Sequence, residues 1–382
     1  MQHILYVTDS LMAGGVERQV TALITGLDPD RFNPSIICLY GDKVGLRTHF
    51  AAEIQASGIS VDNLNLGRSP ADKVVGSIKL LKRIRSLQPD VVHAFNYHSN
   101  LLLRLVRPLF PSKTQLIGSV RGNYSLKQLR YEWLSHRSCA YITTNGPHLR
   151  QQLIDKAKIP SRKILYIPNG VDVDRFAGFD DLAARERIAP GASRLFVSIG
   201  RISHEKMMHY LPQALGILQT TGRLPVTTRL IIVGAPGSPE MHSLLDNAIA
   251  QYALETIVQY HPETHDLEQY YHACDATILF SPAEGMPNVV LESLASSRPV
   301  IVSEGANAAE IILNEKTGWI VPTSDVSQLA ETIYRVINYP PDRLMAMGAA
   351  CLLRAREYSM PAMVSTYEAL YERIGKGTQP SA

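Results

Sequence analysis

Residues 276–303, ATILFSPAEGMPNVVLESLASSRPVIVS, constrain the fold more than any other stretch of the chain. Ala276 to Phe280 is a continuous apolar run, which reads as a strand buried on both faces. Ser281-Pro282 stops the run, and a short polar loop carries Glu284. Pro287 stands where a first helical position favours proline, and Asn288 to Ser296 continues with helical periodicity. Pro299 to Ser303 is a second buried strand. Strand, loop, helix and strand in such short order form the crossover unit of a parallel, doubly wound sheet.

The loop has a chemical direction. Backbone N–H groups at Gly285, Met286 and Asn288 lie at a helix start, where the positive end of the dipole suits a phosphate. Glu284 sits in the loop and Glu292 eight positions later, inside the helix. Carboxylates beside an anion site accept hydrogen bonds from hydroxyls, so an anion flanked by two such acceptors outlines a nucleotide-sugar site. The plainer reading makes both acids ordinary helix-start and solvent-face residues.

At 382 residues the chain exceeds one core, and two domains of similar size are expected. Further strand-like runs that empty into loops are HILYVTDS from His3, SIICLY from Ser35, DVVHAF from Asp90, QLIGSVRG from Gln115, AYITTN from Ala140, RLFVSIG from Arg194 and RLIIVGAPG from Arg229. Residues 177–193, rich in Ala, Asp and Gly, read as the boundary. No apolar run reaches the length of a membrane span, and the first residues read as a strand rather than a signal peptide. Cys38, Cys139, Cys274 and Cys351 lie far apart without a CxxC pair, the usage of reduced thiols in a cytoplasmic protein. No metal-ligand cluster is apparent.

Charge divides the chain. Residues 1–175 hold 23 Lys+Arg against 13 Asp+Glu, whereas the remainder holds 15 against 22. A basic first half predicts an anionic partner: a phospholipid surface, a lipid-diphosphate acceptor or nucleic acid. The helical stretch Val74 to Ser86 carries Lys79, Lys82, Arg83 and Arg85 over an apolar face of Ile78, Leu81 and Ile84. That pattern fits either an anionic membrane surface or a solvated face over a core stripe. Tyr124, Lys127, Arg130, Tyr131, Trp133, His136 and Arg137 mark an acceptor or membrane surface, or a helix packing Leu126, Leu129, Trp133 and Leu134.

The remaining candidates stand at strand ends. Gly14-Gly15 permits close backbone approach before a helix from about Glu17, and no G-x-G-x-x-G fingerprint accompanies it, which disfavours a dinucleotide dehydrogenase. Asn96 and His98 follow one strand, and Arg121 ends another. Arg201 and Lys206 follow Gly200, a fork and a mobile point charge suited to a diphosphate. Five such ends, 10–15, 200–206, 234–237, 281–288 and 303–305, are expected to share a crevice between the two halves.

The run E-G-M-P-N-V-V-L-E-S-L-A from Glu284 resembles the donor-site motif of family-4 retaining glycosyltransferases of the GT-B fold. Gly14, Gly15 and Glu17 match the family's G-G-x-E, Gly200, Arg201 and Lys206 its G-R-x-x-x-x-K, and Ile167 to Phe176 its interdomain segment. The resemblance implies an α/β chain of two Rossmann-like, doubly wound domains facing a cleft. These are an acceptor-side domain over 1–176, completed by a helix near 362–376, and a nucleotide-sugar domain over 193–361. It implies transfer of a sugar, with retention, from a nucleoside-diphosphate sugar to a glycan or lipid-linked acceptor, with UDP favoured over GDP. Arg201, Lys206, Glu284 and Arg121 would be catalytic, and Gly14, Gly15, Asn96, His98, Gly285, Met286, Pro287, Asn288 and Glu292 would bind substrate. Arg121 stands where the family commonly has His, so a permanent cation replaces a titratable group. No cofactor or metal and no nucleic acid is implied. The expected location is the cytoplasm, peripheral on an anionic membrane face. A non-catalytic nucleotide-sugar-binding partner, or an epimerase or phosphorylase of the same fold, is the alternative.

Overall fold

The computed structural model describes residues 1–12, 14–41, 49–67, 69–122, 124–177 and 181–376. Two compact units result: Met1–Gly170 with Met360–Ala382, and Val171–Ser359. Residues 178–180 of the boundary stretch, and Ala13 before the glycine pair, lie outside the described residues.

The first unit alternates strand and helix: β1 (Gln2–Thr8), α1 (Gly15–Gly26), β2 (Phe32–Cys38), α2 (Ala51–Ala56), β3 (Ser60–Asn63), α3 (Pro70–Leu87), β4 (Val91–Ala94) and α4 (Tyr97–Val106). It continues through β5 (Gln115–Val120), α5 (Leu126–Ser135), β6 (Tyr141–Thr144), α6 (Pro147–Asp155) and β7 (Ile164–Tyr166). The sheet is parallel throughout, in the order β3-β2-β1-β4-β5-β6-β7. Both faces are covered, as the continuous apolar strands require. Ile4 and Tyr6 of β1 enter the core that also holds Met363, Tyr367 and Tyr371, while Leu5 and Val7 enter the opposite core with Leu80, Leu103 and Leu129.

The second unit holds α7 (Asp181–Ile188), β8 (Arg194–Ile199), α8 (Tyr210–Thr220), β9 (Thr228–Gly234), α9 (Pro239–Gln251), β10 (Val258–Pro262), α10 (Glu268–Ala273) and β11 (Ala276–Leu279). It ends with α11 (Asn288–Ala295), β12 (Val300–Ser303), β13 (Gly318–Val321), α12 (Val326–Ile337) and α13 (Pro341–Arg356), and α14 (Met360–Gly375) then rejoins the first unit. Its sheet is also parallel, β10-β9-β8-β11-β12-β13. Residues 181–188, inside the stretch read as a boundary, form a helix packed against α10.

Two helices bury a different face from the one their periodicity suggests. α3 begins earlier than Val74, at Pro70, because Ser69 and Asp72 close a capping box around its start. It buries Gly76, Leu80 and Ile84, while Ile78 is exposed, because Gly76 lies over Leu66 where a side chain has no room. α5 buries Leu129 and Glu132 and turns Leu126, Trp133 and Leu134 to solvent. Its inner face is set by an ion pair, Glu132 Oε2 to Arg104 Nη1 at 2.7 Å, with both side chains fully buried.

Candidate active site

In each sheet the strand order reverses once, at β1/β4 and at β8/β11. Loops that leave the carboxyl ends of the two strands at such a reversal diverge and open a crevice. Most of the sequence candidates fall on those loops; His98 and Glu292 lie in the helices that follow, α4 and α11, and Arg121 follows β5.

In the second unit the loops are held backbone to backbone. Gly200 has φ +149°, a conformation open to glycine and strained for other residues. A Cβ at Gly234 would lie 1.8 Å from the Gly200 carbonyl oxygen, and one at Gly237 would lie 1.3 Å from that of Ile202. A Cβ at Gly305 would meet the Pro282 carbonyl oxygen at 1.9 Å. Ile202 N donates to Ala235 O at 3.2 Å and Glu284 N to Gly305 O at 3.1 Å. Four of the expected strand ends thus form two backbone-contacting pairs within one unit.

Across this crevice Lys206 Nζ lies 2.6 Å from Glu284 Oε1, with side-chain exposures of 23% and 17%. Arg201 is exposed at the end of β8, Gly285 is half-buried and Met286 is buried. Pro287 is the cap rather than the first helical residue, with extended ψ 121°, so α11 opens at Asn288. Glu292 is buried, which removes the reading of it as a solvent-face acid. Its Oε2 accepts from the hydroxyl of the fully buried Tyr271 at 2.7 Å, and Phe176 packs edge-on against the Tyr271 ring at 5.7 Å. Tyr260 donates to Gly234 O at 2.5 Å, and Thr323 accepts from Gly305 N at 2.9 Å. Local pattern does not single out Tyr271, Tyr260 or Thr323, because a tyrosine beside apolar residues looks like core and a lone threonine like a turn.

The first unit's crevice is held by side chains. Thr8 donates to Asn96 Oδ1 at 2.7 Å, and Asp9 accepts from Ser99 N at 2.9 Å and contacts His98 Nδ1 at 3.0 Å. Asn96 has φ 68° and ψ 165°, a region that costs a non-glycine residue about 1–3 kcal/mol and persists only where surroundings over-determine it. Gly14 is extended, Gly15 begins α1, and a Cβ at Gly14 would meet only the carboxylate end of Glu17.

Arg121 is engaged on three sides. Its Nη1 donates to Asn169 at 3.1 Å, its Nη2 donates to the Tyr367 hydroxyl at 2.6 Å, and its guanidinium lies 5.0 Å over the Phe95 ring. Behind it His93 is fully buried between Tyr371 OH at 2.8 Å and Ser119 Oγ at 2.9 Å. Burial, then the Arg121 charge, holds the His93 ring well below the ordinary histidine range, so it is neutral. Among the described residues no group of three or more His, Cys, Asp or Glu side chains is placed to hold a metal ion.

Two family models divide the chain between them: Glycosyltransferase Family 4 matches residues 13–175, and Glycosyl transferases group 1 matches residues 181–350. The chain belongs to this glycosyltransferase family, and its two parallel sheets have the GT-B architecture. It is 26% identical over 228 residues to the D-inositol 3-phosphate glycosyltransferase of Thermobispora bispora, covering 58% of this chain and 53% of that protein. It is 29% identical over 198 residues to the GDP-mannose-dependent alpha-(1-6)-phosphatidylinositol monomannoside mannosyltransferase of Mycolicibacterium smegmatis, covering 50% and 51%. The chain thus spans about half the length of these curated relatives. The fold likeness is chain-long: Anabaena HepE, solved in complex with UDP and glucose, has a TM-score of 0.84 at 16% identity, over 97% of this chain and 100% of that one.

Proposed function

We propose that this protein is a retaining, metal-independent glycosyltransferase. It moves a sugar from a nucleoside-diphosphate sugar to a glycan or lipid-linked acceptor during synthesis of cell-surface polysaccharide or glycolipid. The observation that carries this reading is the Lys206–Glu284 contact across the β8/β11 reversal, with Glu292 on the helix that follows. Arg201, Lys206 and the start of α11 give a diphosphate cations and N–H donors, Glu284 gives the sugar an acceptor for its hydroxyls, and Glu292 gives the ribose another. In the transfer the anomeric C–O bond to the β-phosphate breaks, and a bond from the same carbon to the acceptor oxygen forms on the same face. The acceptor proton passes to the departing phosphate, whose charge the two cations offset as it develops.

The acceptor side is assigned to the first unit, with Asn96, His98 and Arg121 as its candidate groups, and Gly14 and Gly15 are candidates for the donor phosphates. Exposed Val74, Val75 and Ile78 of α3 beside Lys79, Lys82 and Arg85 support a bilayer-resident acceptor, as do Leu126, Trp133 and Leu134 of α5 beside Lys127 and Arg130. Among the described residues no helix is long and apolar enough to cross a membrane. HepE is solved with UDP, which favours UDP here, whereas the mycobacterial relative is named for GDP-mannose.

A panel of UDP- and GDP-sugars, scored by thermal shift and by slow release of free nucleotide, tests the proposal. One donor is expected both to raise Tm and to be hydrolysed. Lys206→Ala and Glu284→Ala are expected to keep the unliganded Tm and lose about 100-fold or more in turnover. Stabilisation by no donor, or wild-type rates in both variants, overturns the assignment.

A further inference from the structure

We propose that Glu284 is also a specificity-determining group, which separates a sugar-bearing donor from the spent nucleoside diphosphate by competing for Lys206 whenever no sugar is bound. This rests on reading the β8 and β11 loops as the donor site. The two acids of that site are held in opposite ways. Glu292 is buried and its carboxylate is bonded to the fully buried Tyr271, a neutral donor. Glu284 has its backbone fixed by Gly305, but its carboxylate reaches across the crevice to the Lys206 ammonium at 2.6 Å. Lys206 is on a flexible stem, its N–H bonded to Ser203 O at 3.1 Å within a turn.

In this arrangement the cation best suited to a diphosphate is already neutralised by a carboxylate. An arriving diphosphate must share Lys206 with Glu284, and the two anions repel at close range. If the diphosphate carries a sugar, the sugar hydroxyls donate to Glu284 and replace the bond it gives up. A bare diphosphate offers Glu284 no such donor, so the repulsion stays uncompensated. The penalty therefore falls on the product rather than on the donor. Once the sugar has left, Glu284 loses its hydroxyl partners, returns to Lys206 and weakens the grip on the nucleotide. The same carboxylate then serves recognition before transfer and release after it.

The experiment is calorimetric titration of UDP and of GDP into the full chain, as wild type, Glu284→Gln, Glu292→Gln, Lys206→Ala and the Lys206→Ala/Glu284→Gln double variant. The bare nucleotide that wild type binds is expected to bind Glu284→Gln about fivefold tighter. Glu292→Gln should show no such gain, because Lys206 is paired with Glu284 while the Glu292 carboxylate accepts from Tyr271. The gain should vanish when Lys206 is already absent, which is the signature of a pairwise effect. Equal or weaker binding by Glu284→Gln, or an equal gain in Glu292→Gln, overturns the inference while leaving the donor site intact. Unchanged nucleotide binding in Lys206→Ala, or no binding of either nucleotide by wild type, overturns the donor-site reading and this inference with it.

Discussion

The two chain reversals solve one geometric problem with different materials. Around β8/β11 each loop is held backbone to backbone by its outer neighbour, the β8 loop by that of β9 and the β11 loop by that of β12, and Gly234, Gly237 and Gly305 stand where a Cβ would overlap a carbonyl group. At β1/β4 the loops are tied by Thr8, Asp9, Asn96 and Ser99, and the ties run inward. Asn100 Nδ2 donates to Asn96 O at 2.8 Å and to Ser119 O at 2.9 Å, and Arg104 beside it is paired with Glu132 in the core. Backbone contact leaves a loop little room to change shape and spares side chains for a ligand. A side-chain scaffold can be rewired one residue at a time.

The largest expected effect tests the side-chain scaffold. Glu132→Gln leaves the Arg104 guanidinium buried without its counter-charge and should cost about 3–5 kcal/mol, read by denaturant unfolding. A cost under about 1 kcal/mol would mean that the polar interior does not hold the first unit's loops. The backbone side is tested by a pair of glycines. Gly237→Ala forces the β9 loop off the Ile202 carbonyl and should cost about 2–3 kcal/mol, with loss of nucleotide binding. Gly14→Ala displaces only the movable end of Glu17 and should cost less than about 1 kcal/mol. Equal costs at the two positions would erase the contrast.

An effect of about the same small size is a pH dependence. His93 is held neutral in the fold, and an unfolded histidine takes up its proton near pH 6.5. Stability linked to this ring is therefore complete above that pH and is lost as the pH falls below it. The loss approaches about 1 kcal/mol between pH 6.5 and 5.5. Tm measured across this range should fall more steeply in wild type than in His93→Asn. Parallel curves would show that another group governs the acid sensitivity.

Much of this was legible in the chain because it depends on neighbours in sequence. The run from Ala276 to Ser303 carries its strand, loop, helix and strand in local periodicity and punctuation, and the structure has β11, α11 and β12 there. The charged candidates Arg201, Lys206 and Glu284 follow from the same logic, since a strand end in a parallel sheet defines which loop faces the crevice. What pairs with what was not legible. Arg121 meets Tyr367 across 246 positions, and Tyr271 meets Glu292 from a separate helix. The inner face of α5 is set by a buried ion pair that periodicity scores as polar and therefore outward. Local pattern determined the elements and the order of their loops. Only tertiary packing decided which polar groups were buried together, because a buried polar group needs a partner and the chain brings that partner from anywhere along its length.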